Sequence, residues 1–106
     1  MFNKLLAEII GTFIFLGVII FVVNGSKDMG VNWLKIGLAL GIMILFVGSI
    51  SGGHFNPAVS LMFYLNNQLP AEELGIYWIG QIIGASLALA LYKFYQADLT
   101  ANNLNK

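Results

Sequence analysis

Residues 51–60 read Ser-Gly-Gly-His-Phe-Asn-Pro-Ala-Val-Ser, a short polar and glycine-rich run set into a chain that is apolar on both sides. No other feature restricts the fold as strongly. Irregular backbone at membrane depth leaves N–H and C=O groups without water, so it persists only where protein buries it or where it lines a wet cavity. The run therefore predicts a cavity-lining loop in a membrane protein, provided that the flanking segments span a bilayer.

Composition supports that condition. Hydrophobic residues make up 58% of the 106 positions and charged residues 9%, whereas soluble domains carry roughly 25% charged residues. So much apolar surface would overfill a soluble core built from a chain of this length. The expected localisation is that of an integral membrane protein, with the lipid bilayer as a partner. Five lysines, no arginine and five acids give a net charge of zero, so nothing points to nucleic acid. With one histidine and no cysteine, neither a zinc site nor a nucleophilic triad is supported. The expectation is a protein that is not an enzyme and has no metal or cofactor.

Three stretches are long enough to cross. The first, Leu5 to Val23, contains 19 residues with Glu8 as its only ionisable member, close to the roughly 20 residues a bilayer core requires. Its apolar run exceeds that of a signal peptide, and the expectation is a retained span. The second runs from about Trp33 to Ile50, and the third from about Leu74 to Tyr95. The third is framed by Tyr77 and Trp78 at one end and by Tyr92, Lys93 and Tyr95 at the other, read as aromatic belts. Asn24 to Asn32 forms a polar connection. Residues 1–96 are assigned to one domain and 97–106 to a polar tail with little to bury.

Between the second and third spans, Pro57 to about Asn66 reads as a short helix. Asn56 suits its N-cap, Pro57 its first position, and Asn66, Asn67 and Pro70 its end. Ten residues rise about 15 Å, half of a roughly 30 Å hydrocarbon core. Such a helix enters the bilayer but cannot cross it. Its N-terminal end, carrying about half a positive charge, would lie near the midplane together with the carbonyls of residues 52–55. The expected fold class is an all-α membrane protein with three transmembrane helices and one re-entrant half-helix.

At these residues the chain resembles the aquaporin, or major intrinsic protein, family. Residues 51–60 stand against a family pattern of Ser-Gly-x-His-x-Asn-Pro-Ala-Val-Thr. Ala7-Glu8-Ile9-Ile10-Gly11-Thr12 looks like the family's first-helix signature, and Tyr77-Trp78-x-Gly80-Gln81-x-x-Gly84-Ala85 like the helix that closes each half. The resemblance covers about residues 5–95. Family members contain two such halves, inverted relative to each other, and each contributes one half-helix. This sequence carries the pattern of one half, so the resemblance implies half of an aquaporin-like fold completed by an antiparallel homodimer or a higher homo-oligomer. Lysine placement bears on orientation: Lys27, Lys35, Lys93 and the more distant Lys106 fall on the face opposite Lys4, a modest bias. Val59 is the residue expected of a first half, whereas the lysine bias matches a second half.

The resemblance also implies roles for single residues. Asn56, Pro57, Ala58, His54, Gly53 and Phe55 are expected to line the pore. Asn56 caps the half-helix and offers its side-chain amide to water or solute, while His54 is read as either a pore residue or a packing residue. Ile36 and Val59 occupy the positions where the family carries a constricting aromatic and an arginine. Both are apolar and small here, which implies a wider pore that passes small neutral solutes such as glycerol as well as water. Glu8 is expected to accept hydrogen bonds from the re-entrant loop, and a glutamine there to retain much of the flux. Gly37/Gly41, Gly48/Gly52 and Gly80/Gly84 are spaced for close helix approach, with Gly80 and Gly84 expected beside the half-helix.

Three function classes follow. The leading one is a passive channel for water or small neutral solutes. A second is a small proton-coupled exporter using Glu8, by analogy with small multidrug-resistance transporters, although those need four full spans. A third is a non-conducting half that binds and modulates full-length relatives, or a degenerate fragment.

Overall fold

The computed structural model describes residues 1–25 and 29–104, so Lys27 and Lys106, counted in the lysine bias, lie outside the described residues. Four helices follow in order: α1 (Phe2–Gly25), α2 (Met29–Ser51), α3 (Pro57–Leu65) and α4 (Ala71–Leu104). Among the described residues, three helices are long and apolar enough to cross a membrane, namely α1, α2 from Gly30 onward, and α4. At 1.5 Å per residue α1 rises about 36 Å and α3 about 14 Å. The first exceeds a hydrocarbon core of about 30 Å and the second covers half of it.

The distribution of side chains is inverted relative to a soluble protein. Glu8, Thr12, Asn32, Ser60 and Gln81 are among the most completely buried residues, while Leu45, Phe46 and Ile82 on the spans are exposed. A helix that is apolar around its circumference can face lipid without penalty, whereas polar side chains in a span must turn inward to find partners. Glu8, Ser60 and Gln81 accordingly form a polar seam between α1, α3, α4 and the loop that precedes α3.

Close approach of α1 and α4 makes that seam possible. A Cβ placed on Gly84 would lie 2.7 Å from the Ile9 carbonyl oxygen and 2.9 Å from the Phe13 nitrogen, and one on Gly80 would lie 3.1 Å from Glu8 Cβ. Both glycines thus face α1, not the half-helix beside which the sequence reading placed them. Gly37 and Gly41 on α2 have nothing within 4 Å of a built Cβ, so their spacing serves no contact within the described chain.

The two ends of α3 are set by local chemistry. Asn56 is extended (φ −157°, ψ 121°) and its Oδ1 accepts the Ala58 N–H at 2.8 Å, while Pro57 occupies the first turn. At the far end Asn67 is left-handed (φ 61°). There the N–H of Gln68 donates to the Phe63 carbonyl at 2.8 Å and that of Asn67 to the Tyr64 carbonyl at 3.0 Å. This is the Schellman pattern, with asparagine in the place glycine usually takes. Leu69, Leu74 and Tyr77 then close a small apolar cluster with Phe63 under the α3–α4 turn.

Two further readings change. Tyr77, taken as part of an aromatic belt, is 2% exposed and turned into the protein. Residues 97–104, read as a tail, remain polar and exposed but continue α4 as helix. The segment has no glycine or proline to stop it, and Thr100 Oγ1 donates to the Gln96 carbonyl at 3.0 Å one turn back. At that end Phe21 of α1 meets Tyr92 edge-on at 5.2 Å and Tyr95 at 5.2 Å.

Candidate functional site

After the Gly52 N–H, which closes the last helical bond of α2, the N–H groups of residues 53–55 need partners outside the helical ladder. The N–H of Gly52 donates back to the Gly48 carbonyl at 2.7 Å, and that of Gly53 to Ser51 Oγ at 3.2 Å. His54 and Phe55 donate to Glu8, the first to Oε2 at 3.2 Å and the second to Oε1 at 2.9 Å. Ser51 Oγ donates to the same Oε2 at 2.7 Å, and Gln81 Nε2 to Oε1 at 2.8 Å. Glu8 is 0% exposed, and its two oxygens accept four hydrogen bonds, all from donors on other segments. A carboxylate accepts at both oxygens and donates at neither, so it suits a loop whose unpaired groups are N–H and O–H.

A second layer holds the first. Gln81 Nε2 also donates to Ser60 Oγ at 2.8 Å, and Ser60 Oγ stands 2.9 Å from His54 Nδ1. Tyr77 Oη donates to the Ser51 carbonyl at 2.6 Å, satisfying the last carbonyl of α2. Trp78 Nε1 donates to the Pro57 carbonyl at 3.1 Å and ties the first turn of α3 to α4. The His54 ring stacks on Phe63 at 4.7 Å with 12° between planes and lies 4.7 Å from Tyr77.

The candidate residues divide into two sets. Asn56, Pro57 and Ala58 are exposed at the mouth of α3, and Val59 is partly exposed behind them. Gly53, His54 and Phe55 are buried. Phe55 turns its ring into α1, which leaves only its backbone to meet a pore, and the His54 ring is clamped between α3 and α4. His54 still borders a cavity of about 300 Å3, shared with Lys4, Gly52, Gln68 and Glu73. Lys4 and Glu73 pair at 2.6 Å beside it, joining the first turns of α1 and α4. Ile36 lies on α2, partly buried and fifteen residues before Ser51, which is about 22 Å of helix rise.

Sequence reasoning passed over the parts played by Ser51, Ser60, Tyr77 and Gln81. Gln81 carried a readable signal, since a primary amide inside a span is costly unless paired. The two serines carried none, because a hydroxyl in a helix satisfies itself on the preceding turn as readily as on a distant partner.

Three spans around a short helix that enters from one side, its entry loop braced by a buried carboxylate, define an integral membrane protein of the re-entrant half-helix class. The chain belongs to the major intrinsic protein family: the model of the family described as Major intrinsic protein matches residues 1–106. It is 43% identical over 98 residues to Aquaporin Z of Brucella melitensis, covering 86% of this chain and 43% of that protein. It is 40% identical over 99 residues to Glycerol uptake facilitator protein-like 6 of Lactiplantibacillus plantarum, covering 92% of this chain and 45% of that protein. With Aquaporin-8 of Notomys alexis the identity is 46% over 90 residues, 81% of this chain and 34% of the relative. The chain thus spans less than half the length of each of these relatives. Its all-helical fold is consistent with half of an aquaporin fold.

Proposed function

We propose that this chain is half of a passive channel for water and small neutral solutes, completed when a second half-helix meets the first at the membrane midplane. The observation that carries the reading is the mouth of α3. Asn56 uses Oδ1 to cap the helix, and its Nδ2 is left as a donor on an exposed surface at the positive end of the half-helix. Such an end favours neutral hydrogen-bonding solutes over cations. The printed names of the relatives, two aquaporins and one glycerol uptake facilitator-like protein, support water and glycerol as the solutes to test.

One half-helix does not close a pore of this kind, and the partner we propose is an inverted second copy. Ile36 of one protomer and Val59 of the other would then flank each mouth, two apolar side chains that leave the pore wide enough for glycerol. An exporter that uses Glu8 is disfavoured by the site itself: the carboxylate is sealed from solvent, and its four bonds run to donors of the same chain.

Reconstitution of the chain alone into vesicles tests the reading, with stopped-flow swelling in water and glycerol gradients and conductance recorded in parallel. The expected result is passive, voltage-independent flux without ion current, suppressed at least tenfold by Asn56→Leu. Two half-helix ends place about one positive charge at the midplane, which raises the energy of a cation there. A folded protein that conducts no better than empty vesicles overturns the channel reading and favours a modulatory half. Cross-links that join only parallel protomers overturn the inverted pairing.

A further inference from the structure

Phe55 takes φ +54° without being glycine, directly after Gly52 (φ +87°) and Gly53 (φ +68°). Left-handed backbone is rare for a bulky residue and persists only where its surroundings over-determine it. Two constraints do so, and both come from one face of α1. The Phe55 N–H is held by Glu8 Oε1 at 2.9 Å. The ring, 2% exposed, lies across α1 at Gly11, where a Cβ would stand 1.9 Å from Cε1, 2.3 Å from Cζ and 2.6 Å from Cδ1. Glu8 and Gly11 are three residues apart and therefore neighbours on that face. The backbone of Phe55 is thus fixed at its nitrogen and its ring is seated in a socket that only glycine leaves open. Asn56 follows immediately in extended conformation, so the way Phe55 is seated sets the direction and depth at which the Asn56 amide is presented.

We infer that Gly11 and Phe55 are positioning residues for the pore mouth: the ring in its socket sets where Asn56 stands and thereby the size of neutral solute the half-helix admits. The inference rests on the channel reading above. A packing contact that served stability alone would change the amount of folded protein and leave discrimination among solutes untouched. A positioning contact changes discrimination in the protein that does fold.

The test is a double-mutant cycle in the reconstituted full chain, with water and glycerol permeabilities normalised to folded protein. Gly11→Ala is expected to expel the ring and lower water permeability at least tenfold. Phe55→Ala, which releases the mouth, is expected to raise the glycerol-to-water ratio at least threefold. In the double variant the alanine at position 11 meets no ring, so it should match Phe55→Ala within twofold. Equal effects of Gly11→Ala in both backgrounds, or an unchanged ratio in Phe55→Ala, overturns the inference, and the second outcome decides even where Gly11→Ala fails to fold. A parallel readout needs no conduction: the rate at which Ala58→Cys reacts with an aqueous thiol reagent should change with Gly11→Ala in the parent and not in the Phe55→Ala background. A silent wild-type protein whose thiol rates follow that pattern loses the channel reading and keeps the positioning. Thiol rates that respond equally in both backgrounds remove the positioning whether or not the protein conducts.

Discussion

At Glu8 each carboxylate oxygen meets two donors, and this arithmetic decides what a substitution does. A glutamine keeps one acceptor oxygen and turns the other into an NH2. Set at the Oε2 position, that NH2 can donate to the Ser51 hydroxyl, which also accepts, and it leaves the His54 N–H without an acceptor. The sequence reading expected Glu8→Gln to keep hydrogen-bonding capacity, and four donors on two oxygens leave a glutamine short of acceptors. An unsatisfied buried donor costs about 1–3 kcal/mol, which predicts a loss of that size, measurable as unfolding at a lower mole fraction of SDS. Stability equal to that of the parent would show that the loop finds other acceptors. That Glu8 matters was legible, because an ionisable group inside a span demands a reason. The loop as its partner came only through the family resemblance, and Ser51 and Gln81 were not named among its donors, since these stand 43 to 73 residues away and nothing local announces them.

Among the elements, α3 was the most legible, because its limits are written in residues with one physical use each: Asn56 as cap, Pro57 at a position that needs no N–H, Asn66 and Asn67 at the exit. Single cysteines placed along residues 52–66 should react with an impermeant thiol reagent from one side of sealed vesicles. Labelling of positions 54 and 66 from opposite sides would mean that the segment crosses. The neighbours of each glycine were harder to read, since spacing gives a face of a helix and not what that face meets. Gly84→Ala drives a methyl into the α1 backbone, and overpacking of this kind costs about 1–3 kcal/mol. Gly37→Ala, whose methyl meets no atom of the described residues within 4 Å, should be neutral in the same unfolding assay. A comparable loss at position 37 would place that glycine against another copy. Tyr77 shows the limit from the other side: a tyrosine near a span end fits a belt or a core equally well, and only the carbonyl of Ser51 decides between them.

For the molecule as a whole, the inverted distribution of side chains means that lipid and interior exchange their usual parts. Apolar residues carry the surface of the spans, and the specific contacts are hydrogen bonds, which in hydrocarbon have no water to compete with them. Polarity of residues 97–104 was readable and their helicity was not, because the segment has no apolar stripe to reveal a period. Residues 97–104 make α4 about 51 Å long by its rise, so its last turns stand outside a hydrocarbon core of about 30 Å.

The Glu8 cluster also has a history in time. During synthesis α1 reaches the bilayer with its carboxylate while Ser51, His54 and Phe55 are more than forty residues from being made and Gln81 is seventy-three away. Until then the span carries an ionisable group without its partners, near the start of a 24-residue helix, where the cost is below that of a charge at a helix centre, about 2.5–3.5 kcal/mol. The rest of α1 is apolar enough to hold it in the bilayer, so what waits for the later residues is the burial of the carboxylate, not the insertion of the helix. Nascent chains halted before residue 51 should leave Glu8 open to an aqueous carboxyl-modifying reagent, and full-length chains should protect it. Chains carrying Glu8→Leu should insert as the parent does, at the expense of the loop that the carboxylate exists to hold.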